Sequence, residues 1–166
     1  PRPDRSLAVQ ERPRDVSKEP SPARRAPSPA KAREGRGEGG CLCGAVRYRI
    51  GLPALWVAHC HCSMCRRAQG SAFVTWVGTD EGRFTVESGA DALRRYHSSP
   101  AATRSFCGQC GTPLFFQSSR WPGELHVTLA TLDDASGLVP QAHAYWGAHV
   151  DWLGWDGGAL PKVEPE

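Results

Sequence analysis

The sequence Cys60-His61-Cys62-Ser63-Met64-Cys65 places three cysteines within six residues, and it decides how the rest of the chain is interpreted. Two further pairs account for the other cysteines, Cys41-Leu42-Cys43 and Cys107-Gly108-Gln109-Cys110. Cysteines one or two residues apart do not easily close on each other as disulfides, but they suit adjacent corners of a metal tetrahedron. An odd total of seven also does not fit a disulfide framework. The spacing therefore predicts metal sites.

We expect the seven cysteines to divide into one closed site and one open site. The two outer pairs would supply the four thiolates of a structural zinc, and they form the four-cysteine set of Cys41, Cys43, Cys107 and Cys110. The middle stretch forms the three-cysteine set of Cys60, Cys62 and Cys65. A zinc on that set would keep a fourth position for water or a substrate thiol, as catalytic zinc sites do. Spacing alone leaves the division open, because Cys60 or Cys65 could replace a member of the four-cysteine set.

The three-cysteine set also has two other interpretations. A histidine such as His59 or His61 could close it as a structural site, or the thiols could form a metal-free redox cluster. We expect His61, which lies between two ligands, to point away from the metal. Arg66 and Arg67 follow the set directly; they could offset thiolate charge or bind a substrate carboxylate, or they could be ordinary solvated charges. The candidate proton donors are Arg66, His97 and His143.

Composition divides the chain near Gly40. Residues 1–40 hold seven of the fourteen prolines and no aromatic residue, with ten basic and six acidic side chains. Such a segment cannot bury enough apolar surface to offset its ordering entropy, so residues 1–39 are predicted to be a disordered tail. Residues 40–166 suffice for one compact domain. The positive net charge comes from the tail, whose basic residues are diluted by acids and prolines, so nucleic-acid binding is not expected.

The domain shows the pattern of a mainly β, antiparallel protein. Short apolar or alternating runs are separated by glycine and proline, which is typical of strands and turns. The predicted strands cover residues 45–50, 55–59, 72–77, 83–86, 93–97, 103–106, 114–117 and 124–129. Residues 63–70 are predicted to be a loop or a single helical turn that carries Cys65. No amphipathic pattern of three helical turns is found.

Membrane insertion and secretion have no support in the sequence. No long apolar run and no N-terminal apolar segment of the kind found in signal peptides is seen. Thiolate-rich metal sites fit a reducing compartment. We therefore expect a cytoplasmic location and no membrane partner.

Three stretches carry a resemblance to a known family. They are Gly40–Val46, Cys60–Arg66 and Phe106–Leu114, which hold all seven cysteines. With them the chain resembles the glutathione-dependent formaldehyde-activating enzymes, a family that includes centromere protein V, and it is most similar to the short branch. The resemblance covers roughly residues 39–161 and leaves out the tail.

The resemblance implies a fold, a metal content and a reaction. The fold would be an antiparallel β-tent with zinc knuckles. Two zinc ions per chain would be bound, a structural one by the four-cysteine set and a catalytic one by the three-cysteine set. The reaction would join glutathione to formaldehyde as S-hydroxymethylglutathione, which is a carbon–sulfur lyase activity in reverse and serves detoxification. The partners would be a small thiol such as glutathione and an aldehyde.

Two functions are consistent with the sequence. The first is the zinc-dependent enzyme acting on thiol–aldehyde adducts. The second is a non-catalytic, zinc-stabilised interaction module whose basic tail contacts a partner. The three-cysteine set distinguishes them, because an enzyme needs an accessible fourth metal position and a binding module does not.

Overall fold

The computed structural model describes residues 35–164 of the chain. The predicted tail therefore lies outside the described residues, except for its last five positions. Within the described range the chain forms strands, one α-helix and short 3-10 helices. No helix among these residues is both long and apolar enough to cross a membrane.

The structure confirms the mainly β class. The strands are β1 Gly35–Gly40, β2 Arg47–Leu52, β3 Trp56–Cys60, β4 Val74–Asp80, β5 Phe84–Ser88, β6 Leu93–Ser99, β7 Ala102–Cys107, β8 Pro113–Ser118, β9 Glu124–Thr128, β10 Ala142–Ala144 and β11 Lys162–Val163. The α-helix, α1, is Ser63–Gln69. The 3-10 helices are Glu81–Arg83, Ala90–Ala92, Leu129–Thr131, Trp146–Ala148 and Asp151–Leu153. All eight predicted strands are present as β2 to β9, with their ends shifted by a few residues.

Two sheets build the domain. A three-stranded antiparallel sheet has the order β1-β2-β5, and an eight-stranded sheet has the order β11-β10-β3-β4-β9-β8-β7-β6. The large sheet is antiparallel apart from β10, which pairs in parallel with both β3 and β11. This parallel strand was not predicted from the sequence, because a run of three residues is too short to show a period.

Strand β1 lies in residues that composition assigned to the tail. It pairs with β2 along its whole length, from Gly35 opposite Leu52 to Gly40 opposite Arg47. The ordered chain therefore starts at least five residues before the predicted boundary at Gly40. A glycine-rich strand contributes backbone hydrogen bonds with hardly any side-chain pattern, so hydrophobic periodicity could not reveal it.

The main core lies between the two sheets. Tyr48 and Ile50 of β2 are fully buried there, with Phe115, Val77 and Val127 of the large sheet. The Tyr48 and Phe115 rings meet edge to face with their centroids 4.9 Å apart. Full burial of a large apolar side chain contributes about 1.5–3 kcal/mol, so this layer supplies much of the stability that holds the sheets together.

Helix α1 replaces the predicted loop or single turn. Cys62 is its N-cap, with an extended backbone, and its Sγ accepts a hydrogen bond from the Cys65 amide. Gly70 ends the helix in the left-handed region at φ 61°, where glycine has no steric penalty. Helix α1 therefore starts inside the three-cysteine set, and its first turn carries Cys65.

Candidate metal centres

The four-cysteine set comes together from two turns far apart in the chain. Cys41 and Cys43 follow β1, whereas Cys107 ends β7 and Cys110 lies in the turn that leads to β8. All four sulfurs lie within 4.8 Å of one another. The Sγ atoms of Cys43 and Cys107, which are 64 residues apart in sequence, are separated by 3.8 Å. The prediction that these four residues form one group is therefore met by the geometry.

The two turns share one local design. The amide of Gly44 donates to the Cys41 carbonyl, and the amide of Gly111 donates to the Cys107 carbonyl. Both glycines have φ near +76°, a conformation that is strained for residues with a side chain. Each turn thereby directs two sulfurs to the same side of the backbone.

The four sulfurs suit a tetrahedral metal. None of the seven cysteines is in a disulfide, and ligands of a thiolate-bound zinc lie about 3.8 Å from each other if the metal–sulfur distance is about 2.3 Å. The Sγ atoms of Cys41 and Cys43 are 3.5 Å apart, close to that value. Hydrogen bonds from Thr112 lower the pKa of the Cys110 thiol to about 5, which favours the thiolate that a metal requires.

The three-cysteine set is local by comparison. Cys60 ends β3, Cys62 caps α1 and Cys65 lies in the first helical turn, and their sulfurs lie within 4.8 Å of one another. Cys60 and Cys65 are buried, whereas Cys62 is half-buried. No histidine belongs to this group in the described part of the chain. Three converging sulfurs can hold a tetrahedral metal and leave its fourth coordination position free for water or a substrate.

Arg104 of β7 is the cation that reaches this set. Its Nη2 lies 3.6 Å from the Cys65 Sγ, and its guanidinium carbon lies 4.9 Å from the centre of the Phe116 ring. Hydrogen bonds from Cys60 and Cys62, together with the charge of Arg104, hold the pKa of the Cys65 thiol well below its usual value. The sequence did not single out Arg104, because it stands 39 residues from Cys65.

The two arginines that the sequence did single out lie elsewhere. Arg66 is half-buried, and its Nε donates to the His61 carbonyl at 3.0 Å. Arg67 is exposed on α1. Neither side chain contacts a cysteine sulfur among residues 35–164. Their role in substrate binding stays a prediction.

His61 is directed toward a second buried histidine. Its Nε2 lies 2.8 Å from the Nδ1 of His143, and the Nε2 of His143 lies 3.0 Å from the Gly157 carbonyl. Since a carbonyl only accepts, His143 donates to Gly157 and accepts from His61. Burial lowers the pKa of His61 to about 4, so the ring is neutral at physiological pH. The predicted orientation of His61 agrees with this pairing.

The remaining histidines named from the sequence have partners of their own. The Nδ1 of His59 lies 2.9 Å from the Thr75 hydroxyl, and burial lowers its pKa to about 4. His97 is exposed on β6, where its Nδ1 lies 3.0 Å from the Thr103 hydroxyl. His143 is fully buried and both of its nitrogens are engaged. A ring so enclosed cannot exchange a proton directly with a substrate.

Beside the cysteines the large sheet carries a buried polar group. The Glu124 carboxylate accepts from the indole of Trp56 at 3.0 Å and lies 3.4 Å from the Nε2 of His126. Burial lowers the pKa of His126, although Glu124 opposes that shift. A cleft of about 410 Å³ borders Glu124, Trp121 and Gln117, and no cysteine lines it. The cleft therefore does not belong to either cysteine set.

The comparison with known proteins agrees with this arrangement. The sequence profile of a family described as "Glutathione-dependent formaldehyde-activating enzyme" matches residues 36–148. A Halomonas elongata protein, provisionally named a glutathione-dependent formaldehyde-activating enzyme, is 28% identical over 123 residues, which are 70% of this chain and 78% of that protein. A Schizosaccharomyces pombe protein named as an uncharacterized lyase is 34% identical over 79 residues. These residues are 48% of this chain and 56% of the yeast protein.

A solved structure has a similar fold. The crystal structure of a Rhodobacter sphaeroides protein shares 26% identity with this chain, with a TM-score of 0.51. The match covers 76% of this chain and 99% of that one. The family profile alone spans more than half of the sequence and includes both cysteine sets. The chain therefore belongs to the glutathione-dependent formaldehyde-activating enzyme family.

Proposed function

We propose that the chain is a zinc-dependent enzyme of the carbon–sulfur lyase type, which interconverts a small thiol plus an aldehyde with their hydroxyalkyl thioether adduct. Glutathione and formaldehyde are the proposed pair. The observation that carries this proposal is the three-cysteine set, with a half-buried Cys62 and the guanidinium of Arg104 beside it. Four thiolates fill the coordination of a zinc ion, whereas three leave one position for a substrate.

Two zinc ions are proposed per chain. The four-cysteine set would hold the structural ion, and Cys60, Cys62 and Cys65 would hold the second. Zinc fits better than magnesium or calcium, because all ligands are thiolates and neither set includes a carboxylate. When bound to three thiolates, zinc supplies a Lewis-acidic position at which a thiol loses its proton near neutral pH.

The proposed reaction is balanced without a co-reactant. The thiol loses its S–H proton, a C–S bond forms at the aldehyde carbon, and the carbonyl oxygen gains a proton. Cys60 and Cys65 are buried, so this side of the site keeps water away from the reacting sulfur.

The domain proposed to carry this function begins with β1 rather than at Gly40, because β1 completes the small sheet and leads directly into Cys41. A cytoplasmic location is proposed with it, since free thiolates persist in a reducing compartment.

The test is the rate of adduct formation. We would measure by NMR the exchange between glutathione plus formaldehyde and S-hydroxymethylglutathione, with protein whose zinc content has been determined. We expect acceleration over the spontaneous rate that disappears in Cys62→Ser, at least a hundredfold loss. Zinc in the four-cysteine set should stay in the variant, which serves as the control for folding. No acceleration with two zincs present would refute this substrate pair and favour the interaction module.

A further inference from the structure

Arg104 is held in place by its strand partner. Arg104 of β7 and Phe116 of β8 are opposite each other in the large sheet. The guanidinium carbon lies 4.9 Å from the centre of the Phe116 ring, which is a favourable cation–π distance. Phe116 itself packs against the buried cluster that includes Cys60 and Cys65. The cation is therefore oriented by the sheet and not by a flexible loop.

Most of the N–H donors of the Arg104 guanidinium have no acceptor among the described residues. Its Nη2 contacts the Cys65 sulfur, but among residues 35–164 no carboxylate lies within ion-pair distance of it. The residue is half-buried, and its guanidinium makes no other hydrogen bond with residues 35–164. A guanidinium has five N–H donors in a fixed fork, and this one presents part of that fork to solvent beside a sulfur.

Other arginines of the described chain differ in this respect. Arg47 forms an ion pair with Asp133, and Arg49 forms one with Glu87. Arg66 donates to the His61 carbonyl. Their positive charge or their donors are already engaged within the protein, whereas half-buried Arg104 has no carboxylate partner among the described residues and lies next to the three-cysteine set.

We propose that Arg104 is a specificity-determining residue of the three-cysteine set, which binds the carboxylate of the thiol substrate. This inference rests on the proposed function and names the class of thiol: one that carries a free carboxylate, as glutathione does. A planar guanidinium stacked on a ring suits a carboxylate, because two parallel N–H donors match its two oxygens. Neutral and cationic thiols of the same length gain nothing from this contact.

A competing role makes a different prediction. If Arg104 served only to balance the charge of the cysteine thiolates, its loss would weaken metal binding and would slow the reaction of all thiols alike. Carboxylate recognition affects one class of thiol and leaves the metal in place. The two roles are therefore separable by comparing thiols of one length.

The experiment uses 3-mercaptopropionate, 2-mercaptoethanol and cysteamine, which carry a carboxylate, a hydroxyl and an amine. For zinc-loaded wild type and Arg104→Gln we would measure kcat/KM with formaldehyde for the first two thiols, because cysteamine condenses with formaldehyde to a thiazolidine. By calorimetry we would measure the Kd of each of the three thiols without aldehyde. We expect Arg104→Gln to lose about tenfold to a hundredfold with 3-mercaptopropionate in both measurements. For 2-mercaptoethanol and cysteamine we expect less than threefold change. Arg95→Gln, an exposed arginine on the neighbouring strand β6, is the matched control.

The outcomes separate this inference from the function. An equal loss for all three thiols, or a loss of zinc in Arg104→Gln, would overturn the inference while leaving the enzyme activity intact in the wild type. If no thiol is turned over but binding of 3-mercaptopropionate depends on Arg104, the inference stands and the proposed reaction falls. Arg104→Lys should recover only part of the preference, because lysine keeps the charge and loses the planar fork.

Discussion

The two cysteine sets use the same chemistry in opposite topologies. The four-cysteine set joins two turns whose cysteines Cys43 and Cys107 are 64 residues apart. One turn connects β1 and β2 of the small sheet, and the other connects β7 and β8 of the large sheet. The three-cysteine set lies within six residues at the end of one strand. Each set holds two buried cysteines, but only the four-cysteine set includes an exposed one, Cys43.

From this difference we expect that sequence separation, rather than burial, decides how much a bound metal would stabilise the fold. A metal that closes a long loop removes many conformations from the unfolded chain, and a metal within one turn removes few. The four-cysteine set should therefore support the tertiary structure, whereas the three-cysteine set is free to keep an open coordination position.

The largest effect on stability should come from removing a ligand of the four-cysteine set. Cys107→Ser removes a fully buried ligand, and we expect the free energy of unfolding to fall by on the order of 5 kcal/mol or more. Cys62→Ser should cost only about 1 kcal/mol, because serine is itself a good N-cap for α1. Denaturant unfolding of the zinc-loaded proteins, followed by circular dichroism, measures both.

A chelator titration of the wild type provides the control for this comparison. The first zinc should leave without loss of secondary structure, and the second should leave together with it. Equal destabilisation by the two serine substitutions would show that the contrast between the sets is wrong.

An intermediate effect should come from breaking the buried His61–His143 hydrogen bond beside the three-cysteine set. His143→Ala leaves a cavity and removes the acceptor of the buried His61 nitrogen, which should cost about 2 kcal/mol. We also expect the chelator to remove the zinc of the three-cysteine set faster, while the other zinc is unaffected. The exposed His97→Ala is the matched control and should change stability by less than about 0.5 kcal/mol. If both variants release zinc at the wild-type rate, zinc binding by the three-cysteine set does not depend on His143.

The smallest effect on stability should come from removing the exposed ion pair between Arg47 and Asp133. Asp133→Asn removes the ion pair with Arg47, whose side chains are 38% and 50% exposed, so the cost should be about 0.5 kcal/mol at low salt. Arg47 lowers the pKa of Asp133, so the stabilisation is present at neutral pH. It is lost as the pH falls below the ordinary carboxyl value and through the lowered one. Unfolding of wild type and variant at neutral and acid pH, each at low and high salt, tests this. A difference that is independent of salt would contradict it.

Local patterns in the sequence predicted much of this structure. Ligand spacing is a local property, so both cysteine sets could be grouped before any fold was known. Alternating runs with glycine and proline between them also predicted β2 to β9, because side-chain alternation directly reflects a half-buried strand.

What the sequence did not reveal depends on distant contacts. Gly39 looks like part of a linker, yet a Cβ there would lie 2.4 Å from the Thr131 carbonyl oxygen, so the strand needs glycine to pack so closely. Arg104 meets Cys65 only because β7 and β8 are paired in one register. Arg66 and Arg67 drew attention through adjacency, but the helix directs one to a carbonyl and the other to solvent.

The parallel strand β10 has a consequence for the order in which the molecule is made. Ribosomes release the chain from its N-terminus, so the thiols of Cys60 to Cys65 emerge long before His143, which stands 82 residues after His61, and before Gly157. At about 5–20 residues per second, that interval lasts roughly 4–16 seconds. During this time β3 has no β10 beside it, and its thiols are exposed to oxidants and to competing metals. The three-cysteine set is thus the first metal centre whose ligands are synthesised in full and the last to be enclosed.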